Sequence, residues 1–326
     1  MVNTTLKKLS QVSGLSISTI SRALKNHPDI SEKTKSLVIE LANTLDYEPN
    51  INAVHLRTQN NRLFGVIVPS ISNFFHESVI SALEEECRKN NYTLMILQSG
   101  DDPEIESDNI KLCRQNRVNG LFACITPETK NIESFSKLKE VDIPIIFFDR
   151  VPERSDCHKV CVADIDSATM AANLIAEKQK KKVLALFGNS NFLITKKRFN
   201  AFTEIMSAHN IACITAYSSS ETHSEELTNI YLAENPDSIF CMTDEILTGV
   251  MRAIQKKQLK IPDDISVIAI SNGYIPTLYY PSITYIETSG KKLGKLAFES
   301  MMSTISGSTF IQDRTIESVL VRGQSI

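Results

Sequence analysis

The sequence predicts an α/β protein in which an N-terminal three-helix helix-turn-helix domain precedes a two-lobed body with two doubly wound parallel sheets. Residues 5–45 carry apolar side chains at helical spacing, interrupted by turn residues at Gly14 and Pro28. Beyond Arg62, short apolar runs typical of buried strands alternate with helical stretches and fall into two series. A length of 326 residues exceeds the usual size of one domain, so two or more units are expected.

The first predicted helix covers residues 5–13 and ends before Gly14, a residue free to take the positive φ that terminates helices. Ser16 caps a second helix that extends to residue 25, and Ser31 caps a third helix after a break at residues 27–29. Apolar residues recur along all three helices at the spacing of a buried stripe: Leu6, Leu9, Val12, Ile20, Leu24, Val38, Leu41, Ala42 and Leu45.

Three short helices with a tight glycine-containing turn match a helix-turn-helix, whose second helix enters the DNA major groove. The exposed positions at the start of that helix are Ile17, Ser18 and Arg22. Arg22 can make a bidentate contact to guanine, whereas Ile17 offers apolar contact and Ser18 a hydroxyl. The alternative for Arg22 is a surface residue on a solvated helix.

Charge is distributed unevenly along the chain. Residues 1–62 carry eight Lys and Arg against five Asp and Glu, a net of +3, which leaves −6 for the rest of a chain whose total is −3. Because phosphate contacts from Lys and Arg supply most non-specific DNA affinity, only the N-terminal segment suits a polyanion.

The residue order of the N-terminal segment resembles a known family. The run TLKKLSQVSGLSISTISRAL, from Thr5 to Leu24, resembles the DNA-binding signature of the LacI/GalR (lactose-repressor) family, and the similarity continues through residues 30–34 and 47–50. The resemblance implies a bacterial transcription regulator whose partner is double-stranded DNA. It assigns the DNA contacts to Thr5, Ser16, Ile17, Ser18, Thr19, Ser21, Arg22, Ser31, Thr34, Asn50, Ala53 and Leu56.

The segment after Pro49 matches the family's hinge, which folds into a helix on the operator. The resemblance places a minor-groove wedge at Leu56, with Ala53 one turn earlier. An apolar wedge unstacks a base step and bends the duplex, and the new protein contacts offset that cost. The alternative for Leu56 is an ordinary linker residue.

The body contains two series of predicted strands. The first series covers residues 63–68, 93–97, 120–125 and 144–148, and the second covers residues 182–187, 238–242 and 266–270. Two sheets of this kind imply a ligand cleft outside the carboxyl ends of their strands.

The resemblance extends over the body, where the family's landmarks follow in order at residues 66–69, 72–76, 148–150, 198–202, 243–244, 261–268 and 281–284. It implies a fold similar to periplasmic sugar-binding proteins, with a chain that crosses between the lobes more than once. The effector contacts that it implies are Phe75, His76, Asp149, Arg198, Asp244 and Ser271. Three alternatives stay open: Phe75 in the core, His76 on the surface of a helix start, and Asp149 in a structural ion pair with Arg150.

Ser271 marks a departure from the family. Many relatives end the last strand with Gly-Phe-Asp and a polar residue, whereas residues 269–272 here are Ala, Ile, Ser and Asn, so a hydroxyl replaces an expected carboxylate. The chain also has no tryptophan, a frequent stacking platform for sugars. The polar pattern of the ligand is therefore expected to differ from that of a simple hexose.

The composition and the N-terminus argue against a membrane or secreted protein. No apolar run approaches the roughly 20 residues of a membrane helix, and residues 1–5 lack the basic start of a secretory signal. Seven scattered cysteines predict reduced thiols. Cys157, His158 and Cys161 have no fourth ligand nearby in sequence, so neither a metal nor a cofactor is expected. We expect a cytoplasmic protein without a membrane partner.

The predicted organisation is a DNA-binding domain at residues 1–48, a hinge at 49–62 and an effector-binding and dimerisation domain at 63–326. Lobe one is expected at about 63–161 plus 290–320, and lobe two at about 162–289 plus 321–326. A homodimer would read a near-palindromic operator, because two-fold DNA sites mirror two-fold proteins.

The expected function is sequence-specific regulation of transcription, as a repressor, controlled by a sugar or sugar derivative. A nucleobase or a protein partner as the regulator, and a sugar-binding protein without DNA function, stay open. Whether the small molecule is an inducer or a corepressor, and whether the protein represses or activates transcription, also stay open. An enzyme is not expected, because the sequence has no phosphate-binding glycine loop, nucleophile elbow or paired metal-ligand motif.

Overall fold

The computed structural model describes residues 4–47, 61–129, 133–218 and 220–326. The chain divides into two compact units, Met1–Asn61 and Arg62–Ile326. Within the described residues, no helix is long and apolar enough to span a membrane.

The first unit consists of helices α1 (Leu6–Ser13), α2 (Ile17–Leu24) and α3 (Glu32–Thr44). Each begins at a side-chain cap, because the hydroxyls of Thr5, Ser16 and Ser31 accept hydrogen bonds from the backbone amides three residues later. Gly14 ends α1 at φ 72°, in the left-handed region that glycine adopts without strain. The predicted helix ends are therefore encoded by local hydrogen bonds.

The core of the first unit is made of Leu9, Ile20, Ala23, Val38 and Ala42, packed where the three helices meet. Leu6, Leu24, Leu41 and Leu45 pack against it while partly exposed. Val12 shares their helical spacing but is 57% exposed, so it lies outside this core. On α1, Leu9 is therefore the buried core residue, and Leu6 packs beside it.

The second unit alternates strands with helices over its whole length. Its strands are β1 (Leu63–Val68), β2 (Thr93–Gln98), β3 (Gly120–Ala123), β4 (Ile145–Phe148), β5 (His158–Val162), β6 (Lys182–Phe187), β7 (Ala212–Tyr217), β8 (Ser238–Cys241), β9 (Ser266–Ser271), β10 (Thr284–Glu287), β11 (Asp313–Ile316) and β12 (Val319–Val321). Its helices are α4 (Phe74–Lys89), α5 (Pro103–Gln115), α6 (Glu133–Lys139), α7 (Asp164–Glu177), α8 (Leu193–Ala208), α9 (Glu221–Tyr231), α10 (Asp244–Lys256) and α11 (Gly290–Ile305).

These strands form two sheets in the described part of the chain, with the orders β11-β5-β4-β3-β1-β2 and β12-β10-β9-β8-β6-β7. All pairings are parallel except β12 against β10. Both orders reverse direction beside the first strand of the lobe, as in doubly wound sheets. The predicted fold is confirmed, and short antiparallel β12 is an addition to it.

Each lobe draws segments from distant parts of the sequence. α11 packs on α4 of the first lobe, and Gly294 permits the close approach, since a Cβ atom there would lie 2.6 Å from the Val79 carbonyl oxygen. The following strands then separate, because β11 pairs with β5 in one sheet and β12 pairs with β10 in the other. The lobes are therefore joined by connections near β5, β10 and β11.

Candidate functional site

The predicted DNA-contact residues of the described part of the chain lie at the N-terminal caps of the three helices, in the first turns of α2 and α3, and, for Ser21 and Arg22, in the second half of α2. Ile17 is 47% exposed at the start of α2, and Ser18 and Arg22 are exposed beside it. No ion pair within the described residues involves the Arg22 guanidinium. Arg22 and Ile17 thus give this surface a cation and an apolar side chain that a partner can contact.

The hydroxyls on this surface are already organised by hydrogen bonds. Ser16 Oγ lies 2.8 Å from both Ser18 Oγ and Thr19 Oγ1, and Ser31 Oγ lies 2.9 Å from Thr34 Oγ1. Such groups hold the caps and retain lone pairs or protons for a phosphate. The other predicted contacts at these helices are Thr5, exposed at the cap of α1, and half-buried Ser21. Asn50, Ala53 and Leu56 lie outside the described residues.

All six predicted effector contacts line one cavity of about 290 Å³ between the lobes of the second unit. Phe75 and His76 stand in the first turn of α4, Asp149 follows β4, and Arg198 points in from α8. Asp244 begins α10 and Ser271 ends β9. The cavity thus lies at the carboxyl ends of the parallel strands, as expected for open α/β sheets.

His76 is buried at the floor of this cavity, with 2% exposure, so its alternative as a surface group is wrong. Asn73 fixes the helix start by accepting a hydrogen bond from the His76 amide at 2.9 Å. The imidazole Nε2 lies 3.0 Å from Asp149 Oδ2. Burial raises the pKa of Asp149, but the hydrogen bond from His76 and the charges of Arg150 and Arg198 outweigh it, so the pKa lies below its ordinary value.

Cys124 completes a buried cluster with this pair. Its Sγ lies 3.6 Å from His76 Nε2 and 3.7 Å from Asp149 Oδ2. Burial, and then the charge of Asp149, raise the pKa of the Cys124 thiol well above its ordinary value. Thiol and carboxylate contact the same ring nitrogen, so the cluster lacks the Cys-His-Asp relay of a nucleophilic enzyme, which uses both nitrogens.

Each arginine of the cavity is bound to a carboxylate that the sequence did not single out. Arg198 Nη2 lies 2.9 Å from Asp164 Oδ1, and its Nη1 donates to the Met242 carbonyl oxygen at 3.1 Å. Arg150 Nη1 donates to Asp101 Oδ1 at 2.6 Å. The alternative ion pair between Asp149 and Arg150 is therefore wrong, because each has a different partner.

Asp244 is a buried carboxylate that accepts hydrogen bonds without a cation beside it. Ser271 Oγ donates to Oδ1, and the Asn272 amide donates to Oδ2 at 3.0 Å. Burial raises the pKa of Asp244 to about 6, although both hydrogen bonds act against the shift. Ser271, at the end of β9, thus orients the Asp244 carboxylate from the start of α10.

Two polar contacts join the lobes beside the cavity. Asn73 Nδ2 donates to Glu245 Oε1 at 2.6 Å, and Asn272 Nδ2 donates to the Phe74 carbonyl oxygen at 3.3 Å. These bonds connect the start of α4 with the start of α10 and the end of β9. A change in lobe closure would break or remake them.

Sequence reasoning missed several groups of the cavity. Thr195 Oγ1 and His76 Nδ1 are buried without a hydrogen-bond partner, and Thr195 also lines the cavity. Phe192 lines it too, with the Arg150 guanidinium 4.1 Å above its ring centre. Thr195 was detectable in principle, since it lies three residues before Arg198 and so on the same helix face.

Comparison with known protein families finds matches over nearly the whole chain. Residues 61–321 match the family of periplasmic binding proteins and sugar binding domains of the LacI family, and residues 5–50 match the bacterial regulatory proteins of the lacI family. The chain belongs to the LacI family. The family resemblance inferred from the sequence is thereby confirmed.

Relatives in this family cover similar lengths. The HTH-type transcriptional repressor PurR of Vibrio atlanticus is 25% identical over 313 residues, which are 92% of each chain, and PurR of Vibrio campbellii is 26% identical over 308 residues. The lac repressor dimer bound to operator and the anti-inducer ONPF superposes with a TM-score of 0.89 at 19% identity, over 99% of each chain.

A second similar structure is that of a sugar-bound protein. A periplasmic binding protein/LacI transcriptional regulator from Alkaliphilus metalliredigens, complexed with D-xylulofuranose, superposes with a TM-score of 0.73 at 25% identity. The match covers 81% of this chain and 98% of that one. LacI-family regulators are DNA-binding proteins, and this chain has both parts of the family's organisation.

Proposed function

We propose that the protein is a sequence-specific transcriptional repressor whose operator affinity is controlled by a small molecule bound between the lobes of its second unit. The main support is the combination of an exposed α2 surface with a cavity that gathers all six predicted effector residues. Its organisation would be a DNA-binding domain at 1–48, a hinge at 49–62 and a body at 63–326, with lobes at 63–161 plus 290–320 and 162–289 plus 321–326.

In this proposal α2 enters the major groove. Arg22 donates two hydrogen bonds to a guanine, and Ile17 contacts a thymine methyl group. The hydroxyls of Thr5, Ser16, Ser18, Thr19, Ser21, Ser31 and Thr34 position the unit against phosphates and base edges. Asn50 and Ala53 belong to the hinge, and Leu56 is its minor-groove wedge.

The proposed active form is a homodimer on a near-palindromic operator. One reading helix contacts too few bases for specific affinity, whereas two half-sites supply it and bring two hinge segments together at the centre. The lac repressor dimer on its operator has the same fold, which supports this arrangement.

The proposed effector is a sugar or sugar derivative. Carboxylates such as Asp149 and Asp244 can accept hydrogen bonds from adjacent hydroxyls, and Phe75 and Phe192 can cover the apolar face of a ring. The D-xylulofuranose complex of the Alkaliphilus protein supports a sugar. A nucleobase is the second candidate, since the PurR relatives carry a name that suggests one and the two phenyl rings can also stack on a planar base.

Binding is proposed to act through lobe closure. The Asn73 to Glu245 and Asn272 to Phe74 hydrogen bonds would report that closure. A ligand that prefers one degree of closure shifts the population toward it, and the spacing of the two hinges in the dimer follows.

The proposal is tested by selecting DNA sequences with the full-length protein from a random pool. A near-palindromic site is expected, and Arg22→Ala should relax the preference at one base pair per half-site. Lys25→Ala is the matched control, because Lys25 is an exposed cation at the end of the same helix, and its loss should weaken all sequences alike. Selection of no consensus sequence would refute a specific repressor.

A further inference from the structure

We propose that the effector is an uncharged or positively charged molecule rich in hydroxyl or amine donors, and that phosphorylated and carboxylated ligands are excluded. This inference rests on the proposed function, because it takes the cavity between the lobes as the effector site. It narrows that function to one chemical class of ligand.

The first support is that the cations of the cavity are already neutralised. Arg198 is held by Asp164 at 2.9 Å, with both side chains 5% exposed. Arg150 is held by Asp101 at 2.6 Å and is covered on one face by the Phe192 ring. A phosphate at either guanidinium would have to share the cation with a carboxylate already bound to it, and the repulsion between the two anions offsets part of the attraction.

The second support is an excess of negative charge. Asp244 and Glu245 both line the cavity, and neither forms an ion pair within the described residues. Their partners are neutral donors: Ser271 and the Asn272 amide for Asp244, and Asn73 for Glu245. A second anion near these two carboxylates would be repelled, and the low dielectric of a buried site strengthens that repulsion.

The third support is that the cavity has hydrogen-bonding positions that a polyhydroxy or amine ligand can fill. His76 Nδ1 is buried without a hydrogen-bond partner, while Nε2 of the same ring lies 3.0 Å from Asp149 Oδ2. Asp244 has further lone pairs, and Thr195 Oγ1 is also without a partner. A ligand with several hydroxyl or amine donors satisfies such positions, whereas a phosphate brings only acceptors.

Two of the three helix starts at the cavity already carry carboxylates, which occupy the place that an anion would take. α4 and α10 both begin at the cavity, but their first turns carry Glu77 and the pair Asp244 and Glu245, which occupy the favourable place for negative charge. α8 begins without a side-chain cap and without acidic residues in its first turn. The repulsion from the carboxylates of the cavity must therefore outweigh the dipole of α8 for anions to be excluded.

The experiment compares ligands that share a skeleton and differ in charge. The thermal midpoint of the full-length protein is measured with glucose, glucosamine, glucose 6-phosphate and glucuronate; with ribose and ribose 5-phosphate; and with adenosine and AMP. We expect a rise of several degrees confined to uncharged or amine members, and at least a 10-fold weaker affinity for the anionic member of the same set.

Two variants locate the effect. Asp244→Asn should weaken the best uncharged or amine ligand at least 10-fold, whereas Asp263→Asn, which changes an exposed carboxylate, should leave its affinity unchanged. A phosphorylated or carboxylated member that binds as tightly as its neutral counterpart would overturn the proposal, and so would a panel in which no uncharged or amine member binds. Operator binding is measured separately. If the protein still binds a specific operator, only the proposed ligand class fails, and the proposed repressor function stands.

Discussion

The α2 surface and the interlobe cavity use arginine in opposite ways. Arg22 is exposed and has no ion pair within the described residues, whereas Arg198 is 5% exposed and held by Asp164 and the Met242 carbonyl oxygen. An exposed, unpaired arginine can exchange water for a phosphate or a guanine edge. A buried, paired arginine keeps two lobe elements in register and adds no net charge to the cavity. The same residue type therefore serves recognition in one region and structure in the other.

Deletion of the N-terminal residues should have the largest effect, because the predicted DNA contacts and the cavity lie in different parts of the chain. A variant lacking residues 1–60 should lose specific DNA affinity by about 1,000-fold or more, which is the usual margin between specific and non-specific binding. Its affinity for a ligand of the cavity should remain, because the cavity residues all belong to Arg62–Ile326. Fluorescence anisotropy with labelled operator and calorimetry with ligand measure the two quantities, and retained operator affinity would place DNA recognition elsewhere.

Removing the buried arginine should have the next largest effect. Arg198→Ala leaves Asp164 buried without its cation, and such a loss costs about 3–5 kcal/mol of the free energy of unfolding. Urea denaturation monitored by circular dichroism measures it. Arg22→Ala is the control in the other region and should change that free energy by less than about 0.5 kcal/mol. Equal losses in the two variants would remove the contrast between the regions.

Asp244 should give the cavity a distinctive pH dependence. Its pKa is about 6 in the folded protein and 3.8 in the unfolded reference, so the folded state holds the proton more tightly. The resulting stabilisation is complete below pH ~4 and is lost as the pH rises through about 6. The unfolding free energy of the wild type minus that of Asp244→Asn should therefore fall by about 2–3 kcal/mol between pH 4 and 7. A pH-independent difference would show that the carboxyl titrates normally.

The smallest effect is expected from the recognition residues of α2. Arg22→Ala should cost about 1–3 kcal/mol of discrimination at one base pair of each half-site while leaving thermal stability unchanged. Lys25→Ala should reduce the salt dependence of binding without changing base preference. Competition binding with singly substituted operators measures both, and a loss of stability in Arg22→Ala would indicate a structural residue.

Local signals explain how much of the fold the sequence could predict. The caps at Thr5, Ser16 and Ser31 act within three residues, and the central strands β1, β3 and β4 are continuous buried apolar runs. Strands β5, β7, β10, β11 and β12 were not predicted. β7 and β11 have several exposed positions, and β12 covers only Val319–Val321. Edge strands of this kind carry a weak hydrophobic pattern.

The sequence predicted residues that line the candidate site, but it did not predict which carboxylates bind the arginines there. The family landmarks named six residues that line one cavity. Their partners lie far away in sequence, since Asp164 is 34 residues from Arg198 and Asp101 is 49 residues from Arg150. No local pattern connects such residues, so the charge balance of the cavity became visible only in three dimensions.

The most direct test of control by a small molecule is a pair of affinities measured on one sample. A ligand that raises the thermal midpoint is titrated against the full-length protein with and without saturating operator DNA, and operator affinity is measured with and without that ligand. Linkage requires the two affinities to change by the same factor, and a factor of roughly 5–150 is expected for allosteric coupling. A ligand that binds the cavity tightly and leaves operator affinity unchanged would contradict effector control.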